Sequence, residues 1–247
     1  DENILIFENE YESNLISLLN NKINFKVVKI KENGEIDFDD LKSKIDNRTK
    51  VVSVCQITSN NGNINPVKKI GEVIKEKNKK IIYLIDACQS IGHVNINVKE
   101  FKCDVLLGSG RKYLRGPRGT GFIFINKRLN NYLNPLILDS HNSSLEKNIK
   151  INEKHIFENF EYSPALKIGL SESIREVNRL GLKFIEKDIK KKTIYFRDKL
   201  SKLPKVTIYE NEKHISGINT FNYKNIKAEK ILKFLLRNKI LTSIANK

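Results

Sequence analysis

Short apolar runs alternate with amphipathic stretches through the first half of the chain, which is the pattern of βαβ units building a mostly parallel sheet. Asn3 to Phe7 predicts a strand, Glu12 to Asn20 a helix, Phe25 to Ile30 a strand, and Phe38 to Ile45 a helix capped by Asp37. Val51 to Gln56 predicts the next strand. The run Ser59-Asn60-Asn61-Gly62 then forms a turn, and Pro66 suits the first turn of a helix reaching about Asn78, with Val67, Ile70, Val73 and Ile74 on one face. Ile81 to Ile85 is almost wholly apolar and ends in Asp86, as a central strand with both faces covered would. Asp104 to Leu107 and Gly121 to Ile125 follow as strands. Beyond them the pattern changes to one long helix from Pro164 to about Lys190, a further helix through Leu200, short strands at Val206 to Tyr209 and Ile218 to Phe221, and a helix from Lys227 to Asn238. This divides the chain into a large α/β part, residues 1–160, and a smaller α+β part, residues 161–247.

Length and composition narrow the class. The 247 residues, 39% apolar and 30% charged, can bury a sizeable core. No apolar run approaches the ~20 residues of a membrane-spanning helix, and Asp1-Glu2-Asn3 offers no basic lead into a signal core, so the expectation is a soluble, unexported, cytoplasmic protein without a membrane partner. Cys55, Cys88 and Cys103 form an odd set without metal-type pairing, which disfavours disulfides and zinc and favours packing roles. The net charge of +16 raises nucleic acid as a partner, but it comes from lysines scattered along the whole chain with no aromatic-interleaved basic stripe, and no nucleic-acid partner is expected. His93, His141, His155 and His214 are spread out and read as no metal cluster.

In open parallel sheets the C-terminal ends of the strands deliver side chains to a shared crevice. Here those ends carry Glu10-Tyr11-Glu12-Ser13-Asn14, Thr58-Ser59-Asn60, Asp86-Ala87-Cys88-Gln89 and Gly108-Ser109-Gly110-Arg111-Lys112. Alone, Asp86 is as well read as a loop tether, Lys112 and Arg111 as surface cations, and Tyr11 as a capping aromatic. Yet a carboxylate ending a buried strand needs a cationic or hydrogen-bonding partner. A lysine flanked by small residues can be approached closely, and a neutral amine attacks carbonyls. The pair matches the needs of pyridoxal phosphate, an amine for its aldehyde and an acid for its ring nitrogen.

The runs Asp86 to His93 and Ser109 to Gly121 resemble the cofactor-binding core of the class V aminotransferase-fold enzymes, a family that includes cysteine desulfurases, selenocysteine lyases and isopenicillin-N epimerase-like enzymes. The resemblance extends to Glu10–Asn14 and Ser59–Pro66, and more weakly to Phe157–Leu170. It implies the large domain of a fold type I pyridoxal phosphate transferase, a mostly parallel sheet with flanking helices, plus a smaller C-terminal α+β lobe. It also implies an amino-acid substrate and a homodimer. By this resemblance Lys112 would form the internal aldimine with pyridoxal 5'-phosphate and move the proton at the substrate Cα. Asp86 would pair with the pyridine nitrogen, Gln89 with the phenolic oxygen, and Ser109 with the phosphate. Arg111 would take the phosphate contact that a histidine makes in many relatives, Tyr11 would cover the ring where desulfurases place a histidine, and Ser59, or Asn60 beside it, would stand near cofactor and substrate.

Relatives carry a phosphate-binding loop upstream and a substrate-carboxylate arginine downstream of the matched segment, so the resemblance implies a partial chain. Tyr11, the Gly110-Arg111-Lys112 run and the Gly116-Pro117-Arg118-Gly119 loop incline the expected reaction toward transamination, epimerisation or elimination. Cysteine desulfuration or selenocysteine lysis is the alternative, as is a catalytically silent relative serving as a binding module.

Overall fold

The computed structural model describes residues 2–152, 155–210 and 215–245. A six-stranded sheet forms its centre: β1 (Asn3–Phe7), β2 (Phe25–Val28), β3 (Thr49–Cys55), β4 (Ile82–Asp86), β5 (Val105–Ser109) and β6 (Gly121–Ile125), in the order β2-β1-β3-β4-β5-β6. All neighbours are parallel except β5 and β6. Helices α1 (Glu12–Asn20), α2 (Phe38–Lys44) and α3 (Val67–Lys77) make the crossovers between parallel strands. Because β2 and β3 lie on opposite sides of β1, the winding reverses at β1, and in such sheets ligands bind beyond the strand ends at that reversal.

The core is the apolar set that the pattern marked. Leu5, Phe7, Val52, Val54, Ile85 and Leu106 from the strands are buried together with Val67, Ile70, Val73 and Ile74 of α3. Asp37 caps α2 by accepting from the amides of Asp39 and Asp40, both at 3.0 Å. Asp104, just before β5, is buried and holds Lys75 of α3 and Arg128 of the short 3-10 helix Lys127–Tyr132, both at 2.6 Å.

Several element ends differ from the pattern, each for a local reason. β2 stops at Val28 instead of Ile30 because side chains take the next amides: Lys29 N–H donates to Asp40 Oδ2 at 2.8 Å and Ile30 N–H to Glu8 Oε2 at 2.7 Å. The break expected near Lys190 between the long helix and the one after it lies at Gly181, φ +83°, which parts α4 (Pro164–Leu180) from α5 (Leu182–Ser201). A hairpin of β7 (Ser143–Leu145) and β8 (Ile149–Ile151) was not legible, since three residues per strand give too little alternation. β9 (Val206–Ile208) pairs antiparallel with β10 (Phe221–Tyr223), and α6 (Ala228–Arg237) follows. The strand expected from Ile218 begins only at Phe221 because the amides of Ile218 and Thr220 go to the side chains of Ser216 and Glu210. No helix among the described residues is long and apolar enough to cross a membrane.

Candidate functional site

Asp86 is the last residue of β4 and is buried, lying opposite Cys55 at the end of β3. Its Oδ1 accepts from the Cys88 amide at 2.9 Å, a turn that fixes the carboxylate at the strand end. Its Oδ2 receives a long bond from Asn14 Nδ2, 3.4 Å, and the weak thiol donor of Cys55 at 3.9 Å, and the Cys88 thiol also meets the carboxylate. No lysine, arginine or histidine among the described residues forms an ion pair with it. A buried carboxylate in that state is costly, and a cationic donor at Oδ2 would relieve the cost.

Glu10, after β1, lies on the other side of the same cluster. Its Oε1 accepts from the Cys55 thiol at 2.8 Å, Asn14 Nδ2 at 3.0 Å and the Tyr11 amide at 2.9 Å, while its Oε2 is buried without a partner. Asn14 thus shares its amide group between two carboxylates. Tyr11 is the residue at the N-terminal boundary of α1, and its ring is 43% exposed, which leaves a face open. The half-buried Lys112 brings its Nζ to 5.9 Å from the centre of that ring.

Cys88 links the two halves of the site. Burial raises its pKa to about 12, with Asp86 adding to the rise and Lys112 opposing it, so the thiol lies within the field of both groups. The Ser109 backbone also meets the Cys88 sulfur. Packing brings this about: Gly92, at φ +79°, lets the turn after Asp86 press on the segment bearing Lys112, and a β-carbon at Gly92 would fall 2.8 Å from Leu114 N and Tyr113 C. Beyond it, Gly110 N–H donates to Thr120 O at 2.9 Å and Gly116 N–H to Gly110 O at 2.8 Å, closing the loop that follows Lys112.

Of the residues expected from sequence, Tyr11, Asp86, Ser109 and Lys112 converge on this cluster, with Gln89 half-buried in the turn between them. Two sit differently. The Arg111 side chain is exposed, and the Ser59 hydroxyl reaches only Asn60 Oδ1, at 3.5 Å. The sequence pattern gave Glu10 and Asn14 no role and Cys55 only a packing one. The signal for Glu10 and Asn14 was their four-residue spacing at the start of α1, and for Cys55 its place at the end of the strand beside Asp86. The sequence also missed His93, which is buried, stacks on Tyr113 at 4.1 Å and accepts a hydrogen bond from Gly217 N–H at 3.1 Å.

The family model described as aminotransferase class-V matches residues 1–244. The chain belongs to the aminotransferase class-V family. This class V chain is 29% identical over 240 residues to a probable cysteine desulfurase of Methanothermobacter thermautotrophicus, covering 95% of this chain and 60% of that protein. It is 30% identical over 248 residues to a probable cysteine desulfurase of Borreliella burgdorferi, covering 95% and 58%. The solved apo structure of cysteine desulfurase from Thermococcus onnurineus superposes with a TM-score of 0.83 at 27% identity, over 97% of this chain and 61% of that one. The class V chain therefore spans about three fifths of the length of these relatives. Class V aminotransferases are pyridoxal phosphate enzymes, and the buried carboxylate with an open acceptor position at Oδ2 fits the protonated ring nitrogen of that cofactor.

Proposed function

We propose that this protein is a pyridoxal phosphate-dependent enzyme acting at the Cα of an amino acid, with Lys112 holding the cofactor and carrying the Cα proton. The observation that supports it best is that a buried Asp86 without a cationic partner among the described residues, joined through Asn14 to Glu10 and the adjoining Tyr11, lies in one cluster with Lys112, whose Nζ is 5.9 Å from the Tyr11 ring centre. When bound, the cofactor supplies an electron sink for the pair left by breaking a bond at Cα. Asp86 would keep the ring nitrogen protonated, and Asn14, which donates to both Asp86 and Glu10, holds the Asp86 carboxylate in place. Tyr11 would cover the ring face and keep water from it. Gln89 would hydrogen-bond the phenolic oxygen, and Ser109 and Arg111 would hold the phosphate. Ser59 or Asn60 borders the substrate. The division at residue 160 and the pairing of two copies belong to the same reading.

Transamination, epimerisation and elimination all begin with loss of the Cα proton. Desulfuration of cysteine is a second reading, favoured by the names of the relatives at 29–30% identity. It needs a nucleophilic thiol, and burial pushes the thiols of Cys55, Cys88 and Cys103 upward, so none of the three fills that role. Exchange of the Cα proton in heavy water, followed by NMR on the full-length protein with a panel of amino acids, tests the shared step. The expected result is exchange that falls by about 10²- to 10⁴-fold in Lys112→Ala. Exchange unaffected by that change would overturn the reading, and keto-acid against sulfide release would separate the branches.

A further inference from the structure

The four histidines looked unrelated in the sequence, but the fold corrects this for two of them. His141 precedes β7 and His155 follows β8, and their rings meet at 4.4 Å between centres. His214 lies outside the described residues. Glu158 completes the group: His141 Nε2 is 3.3 Å and His155 Nδ1 3.5 Å from Glu158 Oε2, and one ligand atom from each of the three residues lies within 4.8 Å of the others.

From this geometry we propose a divalent metal site, best matched to zinc, held by His141, His155 and Glu158 and separate from the Lys112 cluster. Tetrahedral zinc with bonds of about 2.0–2.1 Å sets its ligand atoms about 3.4 Å apart, which two of the three edges already meet. Two imidazoles and one carboxylate are a ligand set that favours zinc over magnesium or calcium. A fourth position is left to water.

The site is also braced. Asp139 Oδ1 accepts from the His141 amide at 2.8 Å, and its Oδ2 accepts from the Phe160 amide at 2.8 Å. Asn142 Nδ2 donates to the Glu158 carbonyl at 3.2 Å. These bonds tie the segment bearing His141 to the one bearing His155 and Glu158, so the ligands need little ordering to bind. His155 Nδ1 is buried with no hydrogen bond of acceptable geometry, which a metal bond would resolve. Lys167 Nζ lies 3.5 Å from the same Glu158 oxygen and is the ammonium that the metal would displace.

The test is a zinc titration of the chelator-treated, full-length protein against a chromophoric competitor, repeated with cobalt(II) as a visible probe. The expected result is about one equivalent bound per chain, with cobalt bands of a tetrahedral nitrogen and oxygen site and no thiolate charge-transfer band. His141→Ala and Glu158→Gln should each weaken binding on the order of tenfold or more, whereas Lys167→Met should tighten it by removing the competing charge. No stoichiometric binding by the unaltered protein, a thiolate cobalt spectrum, or equal affinity in all three variants would overturn the proposal.

Discussion

At the scale of single residues, the cleft is governed by where charge is left without an answer. Asp86 has an amide on one oxygen and little on the other, while Lys112 approaches an aromatic face instead of an acid. The cysteines show the other side of this balance. Cys55 lies between Glu10 and Asp86, so burial and two nearby carboxylates push its thiol far above the ordinary range. Burial raises Cys88 and Cys103 to about 12, each helped by a neighbouring aspartate. All three are therefore thiols at neutral pH and poor nucleophiles. Iodoacetamide labelling of the native protein near neutral pH, read by mass spectrometry, should leave all three unmodified until denaturant is added. Prompt native labelling of Cys55 or Cys88 would show that their protons are not held in this way.

At the scale of elements, the turn after β4 decides how Asp86 meets Lys112. Gly92→Ala meets two obstacles, a positive φ and backbone atoms of Tyr113 and Leu114 2.8 Å from the new carbon. Gly181→Ala, at φ +83° with nothing within 4 Å, meets only the first. The strain alone costs about 1–2 kcal/mol, so Gly92→Ala should lower urea-melt stability by more than that and Gly181→Ala by no more. Equal losses would mean that the contact at Gly92 relaxes freely. Much of this level was legible beforehand. The apolar runs of β1, β3 and β4, the Asp37 cap and the buried face of α3 follow from periodicity and capping chemistry. The break at Gly181 was not, because residues on both sides keep a helical pattern and only φ interrupts it. The site was half legible: residues at strand ends could be named, but Glu10 and Asn14 became visible only once the fold set Asn14 against Asp86 and Glu10 against Cys55. The meeting of His141 with His155 depended on a hairpin too short to leave a signal.

At the scale of the molecule, the C-terminal segment is fastened to the sheet domain near the site. His93, whose pKa is lowered by burial, accepts from Gly217 N–H, and its ring stacks on Tyr113 beside Lys112. Thr193 of α5 donates to Ser216 O at 3.1 Å, and Thr220 donates to Asn60 O at 2.7 Å, close to Ser59. Movement of that segment would thus be felt at Tyr113, beside Lys112, and at Asn60, beside Ser59. The central claim is that Lys112 and Asp86 share one cofactor. Adding pyridoxal phosphate to the full-length protein, recording its visible spectrum, and then fixing the product with borohydride for peptide mapping tests that claim most directly. A visible band of the lysine-bound cofactor and a pyridoxyl label on Lys112 are expected, with both lost in Lys112→Ala and the band shifted or weakened in Asp86→Asn. A label on other lysines with Lys112 unmodified, or a band indifferent to both substitutions, would contradict it.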